Sequence, residues 1–122
     1  MPSLIYVFLG GGLGSIVRYG ISQYFVTANT SFPIATFVSN IVACFVLGVL
    51  LGIQLKNNLH DNHSLLFITG FCGGFSTFST FSAESLKLFQ NNQIGLALFY
   101  IGISIILGLI AVYMGYKVQT LT

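Results

Sequence analysis

Four apolar runs, at about residues 4–28, 33–55, 65–89 and 94–116, take up nearly the whole chain, and each has the roughly 20 residues that a helix needs to cross a bilayer. Water is absent from the hydrocarbon core, so each run must pair its own backbone N–H and C=O groups, as a helix does. The connections are short and leave no room for a domain outside the membrane. The expected fold is an all-α membrane protein of four transmembrane helices, a single domain over residues 1–122. The charge content agrees: 5% of residues are charged, against about 25% in a soluble domain. Arg18, Lys56, Lys87 and Lys117 are scattered singly, and a net charge of +2 offers no basic track for nucleic acid. Cys44 and Cys72 fall inside spans and read as small hydrophobes, not as a disulfide. The first run lacks a basic leader and a small-residue cleavage site, so it is expected to remain as a helix.

The third run is the anomalous one. Gly70-Phe71-Cys72-Gly73-Gly74-Phe75-Ser76-Thr77-Phe78-Ser79-Thr80-Phe81 sets three glycines and four hydroxyls in its middle. Non-helical backbone at membrane depth survives only where it is buried in protein or lines a polar cavity, so a weakened helix there points to a functional site. The helix is expected to break at its centre, unwinding near Gly73-Gly74. At about 100° per residue, Phe78 and Phe81 share one face while Ser76, Ser79 and Thr80 gather on the other. Unwinding frees main-chain carbonyls. A monovalent cation would satisfy those of Gly73 and Ser76 together; closure by the Ser76 and Thr77 hydroxyls or by water is the plainer outcome.

Polar exceptions mark the other runs. In the first, Gly10 and Gly14 have the spacing that lets a neighbouring helix approach closely, and Arg18 either snorkels, caps a helix, or draws anions into an aqueous vestibule. In the second, which opens on Pro33, Asn40 shares a face with Thr36, Ala43 and Cys44 and needs hydrogen-bond partners. Glu84 is the one carboxylate near the membrane; it lies about two turns past the expected break and calls for a hydroxyl or Lys87 as partner. In the fourth, Tyr100, Ser104 and Gly108 step down one face, and Gly102, Gly108 and Gly115 suit helix packing. The polar stretch 56–64 contains His60, Asp61 and His63, which read as a solvated connector in preference to a metal site.

The string GFCGGFSTFSTF closely resembles the signature of the Fluc (CrcB) fluoride channels, four-helix proteins that work as antiparallel, dual-topology homodimers. Gly11-Gly12-Leu13-Gly14-Ser15-Ile16-Val17-Arg18-Tyr19 is similar to the family's first-span pattern, and Phe32-Pro33 with Thr36 and Asn40 resembles its second-span signature. The resemblance implies that Asn40, Phe78 and Phe81 line a fluoride path, with Ser79, Thr80, Tyr100 and Ser104 as an adjoining hydroxyl track and Arg18 at a vestibule. It also implies a central, structural Na⁺ at the break on the carbonyls of Gly73 and Ser76, although the family usually has threonine where this chain has Ser76.

The expected function is therefore a passive fluoride-selective channel in the cell (inner) membrane, with fluoride, lipid and an inverted copy of itself as partners, and no enzymatic activity. Lys56 and Lys117 fall on one side of the membrane and Lys87, with Arg18 if it emerges, on the other; so small a bias does not choose an orientation, which suits a protein inserted both ways. A small multidrug-resistance type proton-coupled exporter is the alternative of another class, but it needs an acid deep in the bundle and the first span has none. A non-transporting assembly subunit would account for the small-residue packing without accounting for Asn40, Arg18 and the broken helix together.

Overall fold

A computed structural model describes residues 2–28, 30–56 and 59–121; Asn29 of the first expected turn and Asn57 and Asn58 of the polar stretch lie outside them. The chain forms α1 (Pro2–Tyr24), α2 (Ile34–Leu55), α3 (residues 61–75), α4 (Phe78–Gln90) and α5 (Ile94–Thr120). Four segments are long and apolar enough to cross a membrane, with α3 and α4 together making the third, Asp61–Gln90. This is the expected all-helical fold with a third helix interrupted at its middle.

Two helix pairs build the molecule: α1 lies along α3, and α2 along α5, with α4 resting on α5. Glycine sets both seams. A Cβ on Gly10 would lie 2.9 Å from the Phe71 nitrogen and 3.0 Å from the Gly70 Cα, and Gly74 packs in the same way on the backbone of Gly11. Gly48 and Gly115 do the same between α2 and α5. In lipid there is no hydrophobic drive to hold helices together, so this close backbone approach supplies the van der Waals contact that does. Gly102, expected among the packing glycines, has open space where a Cβ would go.

Several boundaries differ from expectation for local reasons. α1 stops at Tyr24, because residues 25–27 already turn: Val26 N–H donates to the Gln23 carbonyl and Ala28 N–H to that of Phe25. α3 starts early, at Asp61, where a carboxylate favours a helix N-terminus, so the polar connector is shorter than expected. Its Leu65–Cys72 stretch is π-helical, a widening with no counterpart in the sequence pattern. α5 runs on to Thr120; no Gly or Pro follows residue 116, Lys117 sits in its last turn, and Lys56 Nζ donates to the Gln119 carbonyl. Between α4 and α5 the chain reverses at Asn92, at φ 60, with Gln93 N–H donating to the Leu88 carbonyl and Asn92 N–H to that of Phe89. That is a left-handed helix cap with asparagine in the place glycine usually takes. Just beyond it lies the core of Leu88, Ala97 and Tyr100, packed against Phe32, Phe37, Phe81 and Leu96.

Candidate functional site at the helix break

The break falls later than the glycines suggest. Gly73-Gly74-Phe75 is helical, whereas Ser76 (φ −86, ψ 153) and Thr77 (φ −149, ψ 122) are extended. The expectation of unwinding at Gly73-Gly74 is thus corrected, and the reason is tertiary. Gly74 is needed as glycine because it abuts α1, not because its backbone departs from the helix. Ser76 consequently does not share a helical face with Ser79 and Thr80.

Hydrogen bonds at the break come mostly from side chains. The Ser76 hydroxyl and N–H both donate to the Cys72 carbonyl, at 2.8 and 3.0 Å. Arg18 Nε donates to the Gly74 carbonyl at 3.2 Å, so this arginine caps the end of α3 across the α1 seam and places its charge at the negative end of that helix dipole. Thr77 N–H donates to Asn40 Oδ1 at 3.0 Å, and Thr80 N–H donates to Thr77 Oγ1 at 3.3 Å, which makes Thr77 the N-cap of α4. Thr77 Oγ1 lies 3.1 Å from the Ser79 hydroxyl and donates to Thr80 Oγ1 at 3.4 Å.

The two N–H groups that a continuous helix would turn toward the carbonyls of Gly73 and Ser76 belong to Thr77 and Thr80. Both are taken by side chains. Gly73 and Ser76 therefore keep carbonyls without their helical donors, while the hydroxyls of Ser76 and Thr77 close other parts of the break. Gly73 is exposed, with open space beside its Cα.

A cavity of about 270 Å³ opens at this point, lined by Asn40, Cys44, Ser76, Thr77, Phe78, Phe81, Ser104 and Ile105. Of the residues singled out from sequence, it brings together Asn40, Phe78, Phe81 and Ser104, along with Ser76. Asn40 Oδ1 is committed to Thr77, so what this wall residue can offer the cavity is the donor end of its amide. Ser104 Oγ is buried without a hydrogen-bond partner. The Phe78 and Phe81 rings lie 5.9 Å apart; Phe78 is 79% exposed, whereas Phe81 is half-buried and packs 5.0 Å from Tyr100.

Ser79, Thr80 and Tyr100 are not in the cavity wall. Ser79 and Thr80 surround the Thr77 hydroxyl. Tyr100 is fully buried beneath Phe81 and donates from its hydroxyl to Glu84 at 3.2 Å, with Thr36 also within hydrogen-bonding reach. The hydroxyl partner expected for Glu84 is thus Tyr100, a neighbour sixteen residues on that no helical spacing reveals. Sequence reasoning offered the Thr77 hydroxyl for closing the break but missed Thr77 as the N-cap of α4 and as cavity wall; the signal available was a threonine just ahead of a helical run. Among the described residues no group of three His, Cys, Asp or Glu side chains is placed to hold a metal, and Asp61 and His63 lie exposed on the first turn of α3.

The chain matches the family model described as "CrcB-like protein, Camphor Resistance (CrcB)" over residues 5–116. It belongs to the CrcB family. Among CrcB-type relatives, the fluoride-specific ion channel FluC of Azobacteroides pseudotrichonymphae genomovar. CFP2 is 46% identical over 118 residues, covering 95% of this chain and 94% of the relative. The protein of the same name from Flavobacterium psychrophilum is 45% identical over 120 residues, covering 94% of each. That of Ignicoccus hospitalis is 40% identical over 115 residues, covering 94% and 93%. A CrcB-family chain of this composition, with four helices long and apolar enough to span, is a multi-pass membrane protein.

Proposed function

We propose that this protein is a passive fluoride channel of the cell membrane, in a bacterium the inner membrane, and that fluoride passes at the break in the third span. One observation carries the reading: Asn40, Phe78, Phe81 and Ser104 line one cavity at the break with no carboxylate in its wall, and Asn40 meets Thr77 through its oxygen, so its amide hydrogens are not spent on that bond. Fluoride is small and strongly hydrated, so a path for it must replace water with donors without binding the ion tightly. Amide and hydroxyl hydrogens do this, and the positive edges of aromatic rings add a weak, non-protic attraction. Fluoride enters cells as uncharged HF and ionises inside. A passive path then lets the membrane potential drive the anion out, at about 2.3 kcal/mol per charge per 100 mV.

The working unit is an antiparallel, dual-topology homodimer. Phe78 at 79% exposed and the open flank of Gly73 both want covering, and a second, inverted copy would supply it. Such a pairing suits a monovalent cation, Na⁺, on the Gly73 and Ser76 carbonyls of both copies: these carbonyls lack their helical donors, and no acidic side chain lies in the cavity wall to favour a divalent ion. When bound, the ion would neutralise carbonyls otherwise left unpaired in lipid. Cation density on the dimer axis is the expected result, and a well-ordered dimer in sodium without it speaks against the assignment. The Arg18 charge, fixed at the end of α3, is proposed to raise the local anion concentration where the path opens.

The function is tested by reconstitution. Proteoliposomes loaded with fluoride should empty rapidly once valinomycin clamps the charge balance, and chloride-loaded vesicles should stay full. Equal release of the two anions would remove the selectivity, and no fluoride release would remove the channel.

A further inference from the structure

A second polar cavity, of about 350 Å³, lies at the other end of α4. Thr30, Ser31, Glu84, Lys87, Asn91 and Gln93 supply its polar walls. Building on the fluoride-channel reading, we infer that this cavity is the far mouth of the same path and that the Lys87 ammonium is its anion-collecting charge.

Placement is the first argument. Phe78, in the wall of the cavity at the break, opens α4; Lys87 stands nine residues on, about 13 Å along the helix axis. A continuous column of rings joins the two ends. Phe78 lies 5.9 Å from Phe81, Phe81 lies 5.0 Å from Tyr100, and Tyr100 lies 5.3 Å from Phe32 in an edge-to-face arrangement at 85°. Phe32 then borders the second cavity. Packed aromatic rings thus run from the break to the second opening.

Charge is the second argument. Lys87 shares the cavity wall with Glu84, and a free carboxylate there would repel an anion. Glu84, however, takes its hydrogen bond from the buried Tyr100, on the core side. This draws the carboxylate toward the ring column, while the exposed Lys87 shares the cavity wall with the polar residues Thr30, Ser31, Asn91 and Gln93. Lys87 thus offsets the Glu84 charge at the recess and keeps it open to small anions, an advantage that holds at low ionic strength and is lost as salt screens it.

The test is fluoride efflux from proteoliposomes carrying the wild type, Lys87→Gln, Lys87→Arg or Lys117→Gln, each checked for folding by gel filtration. At 10 mM ionic strength, where the Debye length is about 30 Å, Lys87→Gln should lower the efflux rate roughly two- to tenfold. At 1 M, where the Debye length is about 3 Å, the gap should close. Lys87→Arg should keep the wild-type rate, and Lys117→Gln, which removes a cation at the end of α5, should change nothing. An unchanged rate for Lys87→Gln at low salt overturns the mouth while the channel stands. So does a loss that persists undiminished at high salt, since that reports on structure and not on charge. Wild-type vesicles that release no fluoride overturn the channel reading, and the mouth with it.

Discussion

Asn40 works through both ends of one carboxamide. Its oxygen holds Thr77 N–H and so helps fix the break, which leaves the donor end of the amide for the cavity that Asn40 lines. The two roles separate cleanly in Asn40→Asp, which retains an acceptor for Thr77 but exchanges the donors for a negative charge. The stronger bond to Thr77 offsets part of the cost of a carboxylate inside the span, and in protein that remains helical and dimeric fluoride efflux should fall by more than tenfold; normal flux through this variant would remove Asn40 from the path. Much of this was legible beforehand, because an amide in an apolar run must be doing something. The identity of its partner was not. Thr77 is thirty-seven residues away, and only the packing of α2 against the broken span brings the two together. For the same reason Tyr100 could be placed on a polar stripe by its spacing but not beneath Phe81 with Glu84 as its acceptor.

At the level of elements, the glycines of the third span announced an interruption but misdirected its position. Their low helix propensity suggested unwinding, yet Gly70 and Gly74 stay helical, with α1 pressed against them through Gly10 and Gly11. The interruption falls where Ser76, Thr77 and Asn40 offer the backbone other partners. The π-helical Leu65–Cys72 had no sequence signal, since widening a helix changes no residue type. Gly10→Ala should therefore cost about 1–3 kcal/mol through overpacking, because the new Cβ would sit 2.9 Å from the Phe71 nitrogen. Gly12→Ala, with nothing within 4 Å, should be neutral or should stabilise by about 0.5–1 kcal/mol as an ordinary helix-interior change. Thermal unfolding of both in detergent, monitored by circular dichroism, checks the contrast; equal effects would contradict the glycine seam.

For the whole molecule, the four-span architecture was written in run length and the scarcity of charge, while the pairing of α1 with α3 and α2 with α5 needed the structure. With Arg18 turned onto the Gly74 carbonyl, the loop charges reduce to Lys56 and Lys117 at one end and Lys87 at the other. That imbalance is too small to fix an orientation. Terminal tags should accordingly be reachable from both faces of the membrane, and a population tagged on one face alone would exclude the inverted dimer. The claim on which the rest depends is that fluoride itself passes the two rings at the break. It is tested most directly by electrode-monitored fluoride efflux from proteoliposomes containing the wild type, Phe78→Ile or Phe81→Ile, each verified to remain dimeric. Isoleucine keeps an apolar side chain in place and removes the positive ring edge, so both variants should empty their vesicles at least tenfold more slowly than the wild type; wild-type rates from both would contradict the account.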